Sequence, residues 1–223
     1  MAQDNAPSVR QKKQLERKCG RRASYDRILI VSEGSQTEPN YFKEIRSTYR
    51  LHTAHVVVRP SELGTEPIQV VQYAQHLFEK GDPHKKIQPR AFEQVYAVFD
   101  RDDHRRYSNA LDKAKSLDRK LRNDARQSVI FQAIASVPCF ELWLLLHFED
   151  IHSSQSRRDV IQRLKRHIPS YEKGINNAFE ITRKHLPEAI GRAERLARIH
   201  TAYSDGPFTA VVDLVKLLKA LHN

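Results

Sequence analysis

The stretch Arg27–Phe42, RILIVSEGSQTEPNYF, decides the fold. Its apolar run, ILIVS at 28–32, is β-branched and uninterrupted, as expected of a strand buried on both faces of a parallel sheet. It runs directly into Glu33 and Gly34, where glycine gives the backbone freedom for a tight turn. Thr37, Glu38 and Pro39 then open a helix with a capping hydroxyl, a first-turn acid and a proline. A carboxylate at the end of a buried strand is costly unless something pairs with it. Two partners are open for Glu33: an arginine such as Arg59, or a metal ion.

Working outward, the same alternation repeats. HVVVR (55–59) reads as a second strand, and Thr65, Glu66 and Pro67 open a helix towards Glu79. QVYAVFD (94–100) is a third strand that also ends on a carboxylate, and SVIFQAIAS (128–136) is a fourth, after a helix over 108–123. CFELWLLLHF (139–148) is too apolar for a surface helix and belongs against the sheet, with Trp143 in the core. Beyond it the pattern is entirely helical, over 156–167, 175–184, 187–201 and 208–221. Strands alternating with helices predict an α/β fold, a mostly parallel sheet flanked by helices, with a helical C-terminal portion. The expected organisation is a basic flexible arm at 1–25, a metal-binding domain at 26–150 and a helical portion at 151–223 packed on that domain.

Composition narrows the function. A chain of 223 residues supports one sizeable core. No apolar run approaches the roughly 20 residues that span a bilayer, and the first residues lack the apolar centre of a secretory signal. Both point to a cytoplasmic protein without membrane contact. Cys19 and Cys139 lie far apart and outside any ligand spacing, which argues against a zinc site or a disulfide framework. The formal charge of +11 and a pI near 9.7 favour a polyanionic partner, chiefly nucleic acid.

Three pieces of sequence then converge. In an open parallel sheet, ligands bind beyond the carboxyl ends of the strands, and Glu33 and Asp100 both sit at such ends. Asp100 and Asp102, two apart in FDRDDH, face one side of an extended segment. Glu141 follows the fourth strand in SVPCFELW, among apolar neighbours that suit a purely structural acid poorly. Carboxylates gathered at one sheet edge repel one another, and a hard divalent cation, Mg²⁺ or Mn²⁺, relieves that repulsion. An acidic metal site within a basic surface suits phosphodiester hydrolysis. Each residue also has a plainer role: Asp102 and Asp103 as caps or partners of Arg105 and Arg106, Glu38 as a first-turn acid. Lys43, Arg59 and Arg101, near the expected strand ends, are the candidates for phosphate contacts.

With these motifs in view, the chain resembles the RloB family, which includes the second component of the AbiL abortive-infection system. The resemblance runs through ILIVSEGSQTEPNYF, VYAVFDRDDH, SVPCFELWLLLHF and PFTAVVDLVKLL, nearly the whole chain after the basic arm. The family is similar to TOPRIM domains, which implies a TOPRIM-like fold. It implies Mg²⁺ held by Glu33, Asp100 and Asp102, with Glu38 and Glu141 matching the further acids of related nucleases. Family members often carry Cys where this chain has Ser32, and Asn where it has Val137. The resemblance further implies an anti-phage nuclease effector cleaving RNA, tRNA included, or DNA, with an ATPase encoded alongside. Whether it forms a homo-oligomer stays open.

Two alternatives accompany this expectation. One is a non-catalytic nucleic-acid-binding or regulatory subunit of a defence ATPase complex. The other is a phosphatase with Asp100 as nucleophile, because FDRDD faintly resembles the opening motif of the haloacid dehalogenase superfamily. That motif normally lies on the first strand, before a Gly-Thr or similar pair; here it lies on the third and precedes Asp-His.

Overall fold

The computed structural model describes residues 26–53, 55–101 and 106–222. The basic arm, Asp102 and Asp103 lie outside the described residues. Five strands form one sheet: β1 (Ile28–Ser32), β2 (Val56–Pro60), β3 (Gln94–Asp100), β4 (Ile130–Val137) and β5 (Phe208–Thr209). Their order is β2-β1-β3-β4-β5, parallel throughout except for β5, which runs antiparallel to β4. The helices are α1 (Thr37–Thr48), α2 (Pro67–Lys80), α3 (Tyr107–Leu117), α4 (Glu141–Leu145), α5 (Arg157–His167), α6 (Ala178–Thr182), α7 (Leu186–Ile199) and α8 (Val211–Ala220). This mostly parallel sheet flanked by helices is an α/β architecture consistent with a TOPRIM-like fold.

The sheet separates two apolar layers, and strand periodicity assigns each residue to one of them. Ile28, Ile30, Tyr96, Val98 and Ile134 face the layer built by α1, α4 and the later helices. Leu29, Val31, Val95, Ala97, Phe99 and Phe131 face α2 and α3. β1 is hydrogen-bonded on both edges and covered on both faces, which is why its residues are apolar without alternation. Burying a Leu or Ile side chain there stabilises the fold by about 1.5–3 kcal/mol. The chain leaves β1 towards β2 over one face and leaves β3 towards β4 over the other. The crevice between the ends of β1 and β3 is therefore the topological switch point of the sheet.

Several local expectations change. Thr37 is the first residue of α1, with Gln36 as its cap residue. The Thr37 hydroxyl is already committed, accepting the Gly174 backbone N–H at 2.8 Å. At α2 the cap is Glu66, in a reciprocal box with Gln69 and with Pro67 in the first turn. α3 stops at Leu117, short of Asn123. Asp118 leaves the helix to accept the Phe131 N–H at 3.0 Å, and Arg119 takes a left-handed φ of 56°. Within CFELWLLLHF only Glu141–Leu145 is α-helical, and Leu142, Trp143, Leu144 and Leu145 are all fully buried. The Trp143 indole donates to the Tyr41 hydroxyl at 2.7 Å, so Trp143 is a core residue. The expected helix over 208–221 begins at Val211, because Phe208 and Thr209 pair with Val137 and Ser136. Among the described residues no helix is long and apolar enough to cross a membrane.

Candidate functional site

Glu33 and Asp100 meet at the switch point. The Glu33 N–H donates to the Val98 carbonyl at 2.9 Å, extending β1 onto β3 by one residue. In return the Glu33 Oε2 accepts the Asp100 N–H at 3.0 Å. The Glu33 carboxylate is thus held over the end of the neighbouring strand. Arg59 takes no part: its guanidinium donates to the Lys85 and Val58 carbonyls at 3.3 and 3.4 Å.

Asp100 is only 4% exposed. By strand parity it lies on the side of Tyr96 and Val98, the same layer that contains α1 and α4. Glu38 on α1 and Glu141 on α4 are buried in that same layer, with Glu33 and Glu141 the acids nearest Glu38. Its positive neighbour is Arg157, the first residue of α5, at 3.9 Å. Glu141 accepts a hydrogen bond from the Tyr171 hydroxyl at 3.1 Å through Oε1. Its Oε2, like Oε2 of Glu38, is buried without a hydrogen-bond partner among the described residues. Orphaned buried acceptors are uncommon, and each costs about 1–3 kcal/mol.

The electrostatics follow from that crowding. Burial, reinforced by the Glu141 and Glu33 carboxylates, pushes Glu38 up from 4.5 to about 7, against an opposing pull from Lys173. Burial and the adjacent Glu141 carboxylate likewise push the Cys139 thiol well above its ordinary range, so it is an inert core thiol. Gly34 has a different reason from the expected one. Its backbone is not left-handed; a Cβ there would stand 2.0 Å from Glu38 Oε2. Glycine makes room for the carboxylate.

The remaining predicted residues are dispersed. Asp102 lies outside the described residues. Arg101 reaches across to the loop before β5, donating to the Ser204 carbonyl and the Asp205 carboxylate at 2.5 Å each. Lys43 lines a groove with Asn40, Glu44, Asn176 and Glu180. Arg59 lies on β2, the edge strand. Arg157, Tyr171 and Lys173 were missed from the sequence. Each comes from beyond the strands, where nothing in SRRDV or SYEKG distinguishes them from surface residues.

The described residues contain no group of three His, Cys, Asp or Glu side chains arranged to hold a metal ion. The donor chemistry nevertheless fits a hard divalent cation: carboxylate oxygens from four segments, two of them orphaned, at the carboxyl end of a parallel sheet. A search of the curated proteins found no match, and a search of the solved structures found none either. The model of the RloB-like protein family matches residues 28–218, from the first residue of β1 into α8. That span takes in both strand-end carboxylates, both orphaned acids and the helices that cover them, and the chain belongs to the RloB-like family.

Proposed function

We propose that this chain is a divalent-cation-dependent nuclease, an anti-phage abortive-infection effector that cleaves RNA, tRNA included, or DNA, and that works with an ATPase encoded alongside. The observation that carries this reading is the gathering of Glu33, Glu38, Asp100 and Glu141 at the switch point of a strongly basic chain, with two carboxylate oxygens buried and unpartnered. Opposite charges stabilise folds; like charges collected under apolar cover do not, and they persist where chemistry uses them.

In this reading Glu33, Asp100 and Asp102 hold Mg²⁺ or Mn²⁺. When bound, the ion neutralises charge on the attacked phosphate and eases ionisation of water. Glu33 is oriented by its bond to the Asp100 N–H, so these two of the three ligands are fixed to strand ends. Glu38 titrates near neutrality and can hold or release a proton at Oε2. Glu141, anchored by Tyr171 at one oxygen, keeps the other available for a second ion or for orienting water. Arg157 beside Asp100 supplies positive charge at the edge of the cluster.

A specific observation favours a second reading, the non-catalytic subunit. Asp100 already has a cationic partner in Arg157, and no ligand trio is assembled among the described residues. One experiment separates the two. Labelled total RNA and plasmid DNA are incubated with the purified chain and Mg²⁺ or Mn²⁺, with and without the ATPase, beside Asp100→Asn. The nuclease reading expects metal-dependent cleavage reduced on the order of 100-fold by the substitution. Cleavage that Asp100→Asn leaves intact, or none with the ATPase present, sinks it.

A further inference from the structure

A second charged feature lies away from the carboxylates, along the outer edge of β2. It is a cleft of about 560 Å³, lined among others by Arg27, Arg46, Arg59, Lys85 and Lys86, with no acidic residue in its lining. These cations fall into two sets. Arg27 is clamped by Glu93 and Asp124 at 2.7 and 2.8 Å, and Lys85 by Glu62 and Asp82 at 2.6 and 2.8 Å. Those two are satisfied. Among the described residues Arg46 and Arg59 have only backbone carbonyls: Arg46 donates to Val56 at 3.0 Å, and Arg59 makes its two long bonds to Val58 and Lys85. The Arg59 Nε is buried with no acceptor among the described residues.

Two guanidiniums side by side, partly buried and without a carboxylate, are electrostatically unfavourable unless an anion joins them. Burial, and then the charge of Arg59, hold Arg46 below the usual arginine range. Lys86, exposed in the lining and paired with no acid among the described residues, adds a third positive group. Guanidinium forks match phosphate oxygens in pairs, whereas an ammonium serves as a point charge beside them. The volume is that of a small-molecule pocket rather than of a surface dimple.

We propose that this cleft is a phosphate-binding site, separate from the carboxylate cluster, in which Arg46 and Arg59 grip a phosphate and Lys86 adds its charge. The phosphate belongs either to a nucleic-acid strand or to a free nucleotide. The site does not depend on the nuclease reading, because its residues bind whether or not the carboxylates cut.

Binding is therefore measured in EDTA, where metal-dependent cleavage cannot contribute. A short fluorescein-labelled single-stranded RNA is titrated with the full chain and followed by anisotropy, and AMP and inorganic phosphate are titrated by calorimetry. The variants are Arg46→Gln, Lys86→Glu and, as a matched charge change on exposed Lys219, Lys219→Glu. Lys86 is exposed, so its substitution keeps the test valid even if Arg46→Gln fails to fold. Arg46→Gln and Lys86→Glu are expected to weaken RNA binding by about tenfold, with Lys219→Glu changing it less than about threefold. If RNA affinity holds and binding of AMP or phosphate is lost instead, the cleft takes a free phosphate compound. Equal weakening by Lys86→Glu and Lys219→Glu, or no effect on any ligand, overturns the proposal.

Discussion

The two ends of the sheet treat charge in opposite ways. At the amino end, Arg27 meets Glu93 and Asp124, and Asn123 donates to Glu93 at 3.1 Å. Arg27 answers both acids there, and its guanidinium draws Asp124 below the usual carboxylate range. At the carboxyl end, Glu33, Glu38, Asp100 and Glu141 crowd together, and Glu38 is driven upward instead. The first arrangement ties β1 to the segments before β3 and β4. The second lowers stability and is compensated by the apolar layer around it.

The largest effect on stability tests the carboxyl end. Glu38 ionises near 4.5 when unfolded and at about 7 when folded. Its protonated form therefore favours the folded state fully below about 4.5, and that contribution is lost as pH rises through about 7. Glu38→Gln cannot ionise, so it should gain about 2 kcal/mol over the native chain at pH 8 relative to pH 5. Thermal melts at the two pH values would show a rise of about 6 °C in Tm difference. An identical offset at both pH values would mean that the acids do not strain one another, and the contrast between the ends would fail.

At the amino end the expectation is smaller and of opposite sign. Arg27→Ala should destabilise by about 1 kcal/mol, since the pairs are partly exposed and screened by salt. Urea unfolding at low and high salt checks it, and the deficit should shrink as salt rises. A loss that ignores salt would mark Arg27 as a packing residue. The smallest effect belongs to Gly34→Ala, which must displace only the far end of the Glu38 side chain. Stability at pH 5 should change by less than about 0.5 kcal/mol, while the fall between pH 5 and pH 8 flattens as Glu38 leaves the cluster. An unchanged pH profile would show that the close approach at Gly34 does not hold Glu38 in place.

Legibility in the sequence followed burial. β1 and β3 match the expected 28–32 and 94–100 because a run without polar interruption, bounded by turn residues, leaves one reading. β5 was hidden because two residues carry no periodicity; Phe208 and Thr209 become a strand only through β4, some seventy residues earlier in the chain. α3 was read too long because nothing local announces that Asp118 will bond Phe131. The same division runs through the site. Glu33 and Asp100 were legible because strand-end position is local information. Arg157 and Tyr171 were not, because their roles exist only through Asp100 and Glu141.

The way β5 closes the sheet has a consequence for manufacture. A ribosome releases the chain from its amino end, so Glu33, Glu38, Asp100 and Glu141 all emerge before Arg157, Tyr171 and the residues that pair with Ser136 and Val137. A nascent chain stalled before α5 carries four acids with neither the cation beside Asp100 nor the hydroxyl on Glu141. Phe208 and Thr209 return to the sheet later still, beside Val137 and beside Ser136, the register partner of Asp100, so a translation product cut before Arg157 lacks the groups that complete the cluster.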